Sequence, residues 1–279
     1  MLYDMMAHAS IRIYDHGIDR RSEMMSMGRS FPFYVMSYIS EGRAFLRVPD
    51  RKIELFPGSV IMIPPNVVHD HYMTESIPST FWWWHFDYKV YDVIDLLRMF
   101  ELPLVHRVED TGRFEVLFRE YSQAMQLHDS MRNTTHRLAC ILEVLGNLLE
   151  EMTGGQCADG GYSSIPGVFI EMAEMIMYGS GPLDLKFFAE KYNMHPTYIS
   201  NRFSEIFGVS PIRLYRRMRM QKAQRLLESG EKSVGEVAEL LGFSDVSAFS
   251  RAFKSYAGHP PSEMKKSAAP TGGIFKSNI

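Results

Sequence analysis

Three histidines, His69, His71 and His85, and two sets of polar side chains near the C-terminal end have the types and spacing to do chemistry. His69 and His71 stand two apart in "VVHDHYM" (67–73), which puts both imidazoles on one face of a strand. With His85 they make a conceivable metal trio; ordinary barrel histidines are the alternative. The polar sets suit recognition instead. On a helix over 196–207, the face opposite Ile199 and Phe203 carries Thr197, Ser200, Asn201 and Ser204. On the helix that follows Asp245, the face opposite Phe249 and Phe253 carries Val246, Ser247, Ser250 and Arg251. A guanidinium such as that of Arg251 grips guanine O6 and N7 together, and an amide such as that of Asn201 grips adenine, each worth ~1–3 kcal/mol of discrimination. Serine and threonine serve equally as phosphate contacts or plain surface.

The elements that would carry these side chains are written twice. "NMHPTYISNRFSEIFGVSP" (193–211) and "GFSDVSAFSRAFKSYAGHPP" (242–261) share Phe203 and Phe253, Gly208 and Gly258, and Pro211 and Pro261 at equal offsets. Each copy reads as helix, short turn, helix. Leu185, Phe188 and Ala189 form the inner face of the first helix, and Val234, Val237, Ala238 and Leu241 that of its counterpart. Asn193 and Gly242 supply the turns. Pro196 opens one second helix and Ser244 or Asp245 caps the other. Between the copies, 211–229 predicts a helix of ~27 Å, at about 1.5 Å per residue. That rod would set two outward helices roughly one duplex turn apart, ~34 Å, on one side of DNA. Residues 183–266 hold 14 Lys/Arg against 9 Asp/Glu, a net of +5, while the rest of the chain nets −8. The basic excess points to a polyanion for this segment alone. Most of the arginines on the connecting helix, Arg213, Arg216, Arg217, Arg219 and Arg225, are expected to form a solvated face.

The first ninety residues read as strands. "FYVMSYI" (33–39), "AFLRV" (44–48), "KIEL" (52–55), "SVIMI" (59–63) and "TFWWWHF" (80–86) are separated by turn signals, as in a sandwich or barrel. On the last strand Phe81, Trp83 and His85 face one way, and Trp82, Trp84 and Phe86 the other. One set lines or fills the barrel; the other packs under helices. From about Val90 the period becomes helical. Leu138, Leu142, Leu145, Leu149 and Met152 recur at steps of four, three, four and three, either a short dimerisation seam or a helix packed on its own barrel. Residues 153–167, "TGGQCADGGYSSIPG", read as a flexible linker averaging ~20 Å end to end. The domain layout expected is therefore a sensor and dimerisation domain over 1–152, the linker 153–167, a DNA-binding domain over 168–266 and a tail over 267–279.

Composition bounds the alternatives. The chain is 46% hydrophobic and 23% charged with a net charge of −3. No run is long and apolar enough for a membrane span, and "MLYDMMAHASIRIYD" has no basic-then-apolar signal pattern. Cys140 and Cys157 make no disulfide framework, which suits a cytoplasmic protein.

The segment 183–266, above all "RMQKAQRLLESGEKSVGEVAELLGFSDVSAFSRAFKSYAGHPPSEMKK" (219–266), resembles the DNA-binding domain of AraC-type transcription regulators. Asn193 stands where glycine is usual, and Arg202 where an apolar residue is commoner. The resemblance implies base contacts from Thr197, Ser200, Asn201, Ser247 and Arg251, with Ser250 on the same face. The run "PGSVIMIPPNVVHDHYM" (57–73) is similar to a cupin strand-turn-strand element, with Gly58, Pro64, Asn66 and His69 at its spacing and Asn66 in place of a glycine. Metal-dependent cupins add histidines and a glutamate from an upstream motif. Residues 33–55 hold no histidine, so the ligand set is incomplete, and no metal or other cofactor is expected. AraC-type regulators hold small effectors, often sugars, in this barrel. The likeness thus turns the Trp83 and His85 face inward and lets Glu41 and His71 reach the pocket. Glu41 replaces an arginine of the arabinose-binding member, which argues against arabinose.

The fold class expected is α+β: a cupin-like β-barrel with flanking dimerisation helices, then an all-α domain with two helix-turn-helix motifs joined by a linker helix. The function expected is sequence-specific regulation of transcription under a small-molecule effector, a sugar or related metabolite. Operator DNA, the effector, a second copy of the chain through Leu138, Leu142, Leu145 and Leu149, and the transcription machinery are the partners; no membrane is. A cupin enzyme fused to a DNA-binding domain and a regulator whose barrel only dimerises are the rivals.

Overall fold

A computed structural model describes residues 8–74, 77–154, 165–179 and 183–267. The chain divides into two compact units, Met1–Ile165 and Pro166–Ile279. The centre of the expected linker (155–164) and the tail from 268 onwards lie outside the described residues.

The first unit is built on two antiparallel sheets. One runs in the order β1 (Ala9–Arg21), β8 (Ser79–Val90), β3 (Tyr34–Glu41), β6 (Ser59–Ile63) and β10 (Val105–Arg107), with the short β9 (Ile94–Asp95) also paired to β8. The other is β2 (Met25–Arg29), β7 (His69–Tyr72), β4 (Ala44–Val48) and β5 (Arg51–Leu55). Side chains of both meet in one core, where Val35, Ile39, Ile61 and Ile63 pack against Ala44, Leu46, Val48, Leu55 and Met73. The turns obey local chemistry. Gly58 adopts φ +89°, and Asn66 occupies the left-handed region at φ +65°, as its place in the turn requires of a residue standing where glycine is common.

Two helices cover the outer face of the larger sheet. The first, α1 (Thr111–Met125), is capped by Asp110, which accepts from the Arg113 amide at 2.9 Å. It lays Phe114, Phe118 and Tyr121 over Tyr38, Trp82 and Trp84. The second, α2 (Met131–Thr153), packs on α1 and is pinned to β10 by His106 Nε2 and Glu151, 3.1 Å apart.

One expectation needs correction here. The chain does not turn helical at Val90. Residues 94–107 continue the sheet through β9, a 3-10 turn at Leu96–Met99 and β10. Their apolar spacing fits either period, and pairing with β8 and β6 decides it. Residues 9–29, within the ninety read as strands, form β1 and β2, which lie at sheet edges.

The second unit is all helical: α3 (Gly167–Tyr178), α4 (Leu185–Tyr192), α5 (Pro196–Phe207), α6 (Pro211–Glu228), α7 (Val234–Leu240), α8 (Val246–Ala257) and α9 (Pro261–Ser267). The repeated letters hold repeated jobs. Phe203 and Phe253 are both fully buried. Gly208 and Gly258 both end their helices in the left-handed conformation, at φ +70° and +82°. Pro211 and Pro261 both open the next helix. Asn193 and Gly242 make the intervening turns at φ +51° and +72°. Capping fixes each start: Asp184 accepts from Phe187, Ser210 from Arg213, Asp245 from Ala248, and Ser233 forms a reciprocal box with Glu236.

Candidate nucleic-acid interface and effector cavity

Within each hairpin the second helix buries one face and presents the other. In α5, Ile199, Phe203 and Phe207 are buried, whereas Thr197 and Asn201 are exposed and Ser200 is half-buried. Ser204 turns back on its own helix, its hydroxyl donating to the Ser200 carbonyl at 2.7 Å. Arg202 is tied along the surface to Glu205 at 2.7 Å. In α8, Phe249 and Phe253 are buried, Ser247 and Arg251 are exposed and Ser250 is half-buried.

Arg251 makes no hydrogen bond or ion pair with any described residue. It lends its charge to Asp245, whose carboxyl sits below the usual carboxylate range, first because of the Ala248 amide and in smaller part because of Arg251. A long cation left unpaired on an outward helix is free to meet an anion or a base edge.

The connecting helix divides its cations between structure and solvent. Arg219 stacks 4.2 Å over Phe243 and donates to the Leu241 carbonyl, while Arg217 lies 4.5 Å over Tyr256. These two bind α6 to the second hairpin. Arg213, Arg216 and Arg225 remain exposed.

In the first unit, β1, β2, β3, β7 and β8 line an open cavity of about 210 Å³. His71, Trp83 and His85 line it, and Phe81 shares their wall. Trp82 and Trp84 point away, beneath α1. His71 is only 8% exposed, and its Nε2 has no hydrogen-bond partner among the described residues. Burial, reinforced by His69, Arg29 and Arg21, pushes its pKa down to about 3, so the ring is neutral. Burial lowers the pKa of His85 as well.

Glu41 does not line the cavity, contrary to what the resemblance implies. It lies where a bulge ends the pairing of β3 with β8, and its carboxylate accepts from the Thr80 hydroxyl at 3.1 Å and faces Arg20 at 3.6 Å on the surface. Four charged lining residues were not among the candidates: Asp15, Asp19, Arg21 and Arg29. Asp19 accepts from Trp83 Nε1 at 3.2 Å and pairs with Arg21 at 2.6 Å. His69 is not on the lining, and its Nδ1 is held 3.0 Å from the Val67 carbonyl. Among the described residues no group of three or more His, Cys, Asp or Glu is arranged to hold a metal ion.

The heptad leucines of α2 divide. Leu145 is 1% exposed and belongs to the protomer core with Ile141, Val144 and Leu148, so it cannot meet a second chain. Leu138 and Leu142 are 44% and 46% exposed, and Leu149 is half-buried. The seam is therefore narrower than the spacing implied, because the helix spends one side of the same stripe on α1.

Residues 21–141 match the model of an AraC-like ligand binding domain, and residues 188–267 that of a helix-turn-helix domain. The Msm operon regulatory protein of Streptococcus mutans is 26% identical over 92% of this chain and 94% of its own length. The MmsAB operon regulatory protein of Pseudomonas aeruginosa is 24% identical over 84% of this chain and 75% of its own. A shorter match, 33% identical over 27% of either chain, is to the raffinose operon regulatory protein RafR of Pediococcus pentosaceus. Among the described residues no helix is long and apolar enough to cross a membrane.

Proposed function

The chain belongs to the AraC-type transcription regulators, DNA-binding proteins with a ligand-binding domain, and from that premise we propose that a carbohydrate effector held in the 210 Å³ cavity governs how a dimer of it engages its operator. The DNA-facing part of this reading is carried by Arg251, a cation on the outward face of α8 that is unpaired among the described residues. Arg251, Ser247 and Ser250 read one stretch of major groove; Thr197, Ser200 and Asn201 read the next from α5. The 18-residue α6, roughly 27 Å long, is the spacer that keeps both hairpins on one side of the duplex.

Support for a carbohydrate is of two kinds. The indole of Trp83 offers an aromatic wall to the C–H face of a sugar ring, flanked by the carboxylates of Asp15 and Asp19 and the rings of His71 and His85. The RafR relative is named for a raffinose operon. Support for a dimer is the exposed leucine pair on α2. The effector acts by linkage, binding one arrangement of the protein better than another and shifting the population that grips DNA.

Sequencing the genomic fragments that the full-length protein retains tests the DNA reading. Enrichment of a short common motif supports it, and retention without any shared sequence overturns it. Thermal denaturation against a panel of sugars tests the sensor reading; no stabilisation by any member would leave the barrel a scaffold. A metal-dependent enzyme is the rival that stoichiometric iron with turnover would favour.

A further inference from the structure

The cavity lining holds two carboxylates, Asp15 and Asp19, and two guanidiniums, Arg21 and Arg29, but they do not pair off one to one. Arg21 is satisfied by Asp19, which also takes the Trp83 indole N–H. Arg29 is not. It is half-buried on the cavity wall, and among the described residues it has neither a hydrogen bond nor a carboxylate within ion-pair reach. Its one close companion is the face of Phe31, 4.9 Å from the guanidinium carbon. Both burial and the nearby Arg21 disfavour its charge. A guanidinium held in this way is costly to the apo protein unless something anionic completes it.

His71 lines the same space; it is more than nine-tenths buried, and its Nε2, unpartnered among the described residues, is covered by the protein rather than open to the cavity. Across from these, Asp15 accepts only the neighbouring His16 amide, 2.9 Å away, and stays exposed at the rim, where it can take hydroxyl protons. The volume, about 210 Å³, is below the roughly 300–1,000 Å³ of sites for drug-sized ligands and is the scale of a single sugar ring.

We infer that the effector is a monosaccharide-sized polyol carrying one anionic group, a carboxylate or a phosphoryl, whose anion is held by Arg29 while its hydroxyls meet Asp15 and Asp19. This rests on the sensor reading and narrows it. The ring of the sugar lies on Trp83. A neutral sugar would fill the space but leave Arg29 uncompensated.

Calorimetric titration of the full-length protein tests this with matched probes: glucose and galactose, glucuronate and galacturonate, glucose 6-phosphate and galactose 6-phosphate, and inorganic phosphate alone. At least one anionic sugar should bind tenfold or more tightly than its neutral parent. A uronate or a sugar phosphate as the preferred probe then identifies which anion the site takes. Arg29→Gln should cut that affinity at least tenfold, as loss of a charge-assisted hydrogen bond does. Arg29→Lys should fall between, which keeps the test decisive if the glutamine variant fails to fold. Neutral sugars binding as tightly as their anionic partners would overturn the inference and leave the sensor reading standing, as would an unchanged affinity in Arg29→Gln. Inorganic phosphate binding while every sugar fails would overturn the polyol. No binding by any probe would overturn both readings.

Discussion

Trp83 and Asp19 join two walls of the barrel cavity: the indole N–H on β8 donates to the carboxylate on β1 at 3.2 Å. The bond fixes the plane of the ring that faces a ligand. It also makes the edge strand β1 part of the site, although that strand is held to the sheet only through β8.

Gly17 shows how closely the strand and ring fit. A Cβ added at this position would lie 2.9 Å from Trp83 Cζ2, closer than real side chains approach. Gly17→Ala should therefore push the indole into the cavity and loosen its bond to Asp19. A cost of about 1–3 kcal/mol in urea denaturation is expected for such overpacking, together with a shifted indole emission and loss of effector response. An unchanged emission spectrum with full response would show that β1 moves away at no cost.

Arg251→Ala removes the exposed guanidinium of α8. The expected result is a loss of ~1–3 kcal/mol in operator affinity, concentrated at one base pair. Gel-shift titrations against an operator mutated at each position in turn would reveal it. An equal loss on every sequence, with a shallower salt dependence, would make Arg251 a phosphate contact instead.

The doubled hairpin was legible because each of its repeated letters has a fixed local job. Phe203 and Phe253 fill cores, Gly208 and Gly258 take a backbone that others resist, and Pro211 and Pro261 start helices. The alternation of "FWWWHF" likewise separated Trp83 from Trp82 and Trp84, since a strand has only two faces. What failed was whatever depends on long-range pairing. Strand β1, "ASIRIYDHGIDRR", is mostly polar and is set in place by its backbone register with β8. Asp19, and likewise Arg29 on β2, could not be assigned to a cavity before those pairings were known. Glu41 was placed by likeness alone and moved to the surface by a bulge. Leu145 obeyed the heptad and still faced inward, because period does not say which neighbour a stripe meets.

His71 gives the barrel a pH signature. Its folded pKa, about 3, lies well below the ordinary histidine value of 6.5, with burial the leading cause. A depressed value means the unfolded chain binds the proton more readily. The stabilisation is thus present in full above about pH 6.5 and is lost as pH falls towards 3, at up to ~1.4 kcal/mol per pH unit for the one proton. Burial acts in the same direction on His69 and His85. Urea denaturation followed by indole fluorescence, run at steps between pH 7.5 and pH 4, would show the slope, and His71→Asn should reduce it. A stability that rises on acidification would contradict the buried, neutral ring.

The exposed leucines of α2 bear on assembly. Leu138 and Leu142 stand one turn apart at 44% and 46% exposure; Leu149 continues their stripe, and Gly146 lies between with nothing within 4 Å of where a Cβ would be. A second helix can approach closely at such a glycine, and the leucines on either side then lose water, worth roughly 25 cal/mol per Å² of apolar surface. Because neither Leu138 nor Leu142 is core, replacing both with glutamate should leave the protomer folded. Sedimentation equilibrium is expected to show a dimer for the native chain and a monomer for Leu138→Glu/Leu142→Glu, with an unaltered circular dichroism spectrum. Affinity for paired operator half-sites should fall by a factor of about 100 or more, since tethering two readers multiplies their grip by roughly 10²–10⁴, while affinity for a single half-site should hold. A double mutant that still sediments as a dimer would place the interface elsewhere on the barrel.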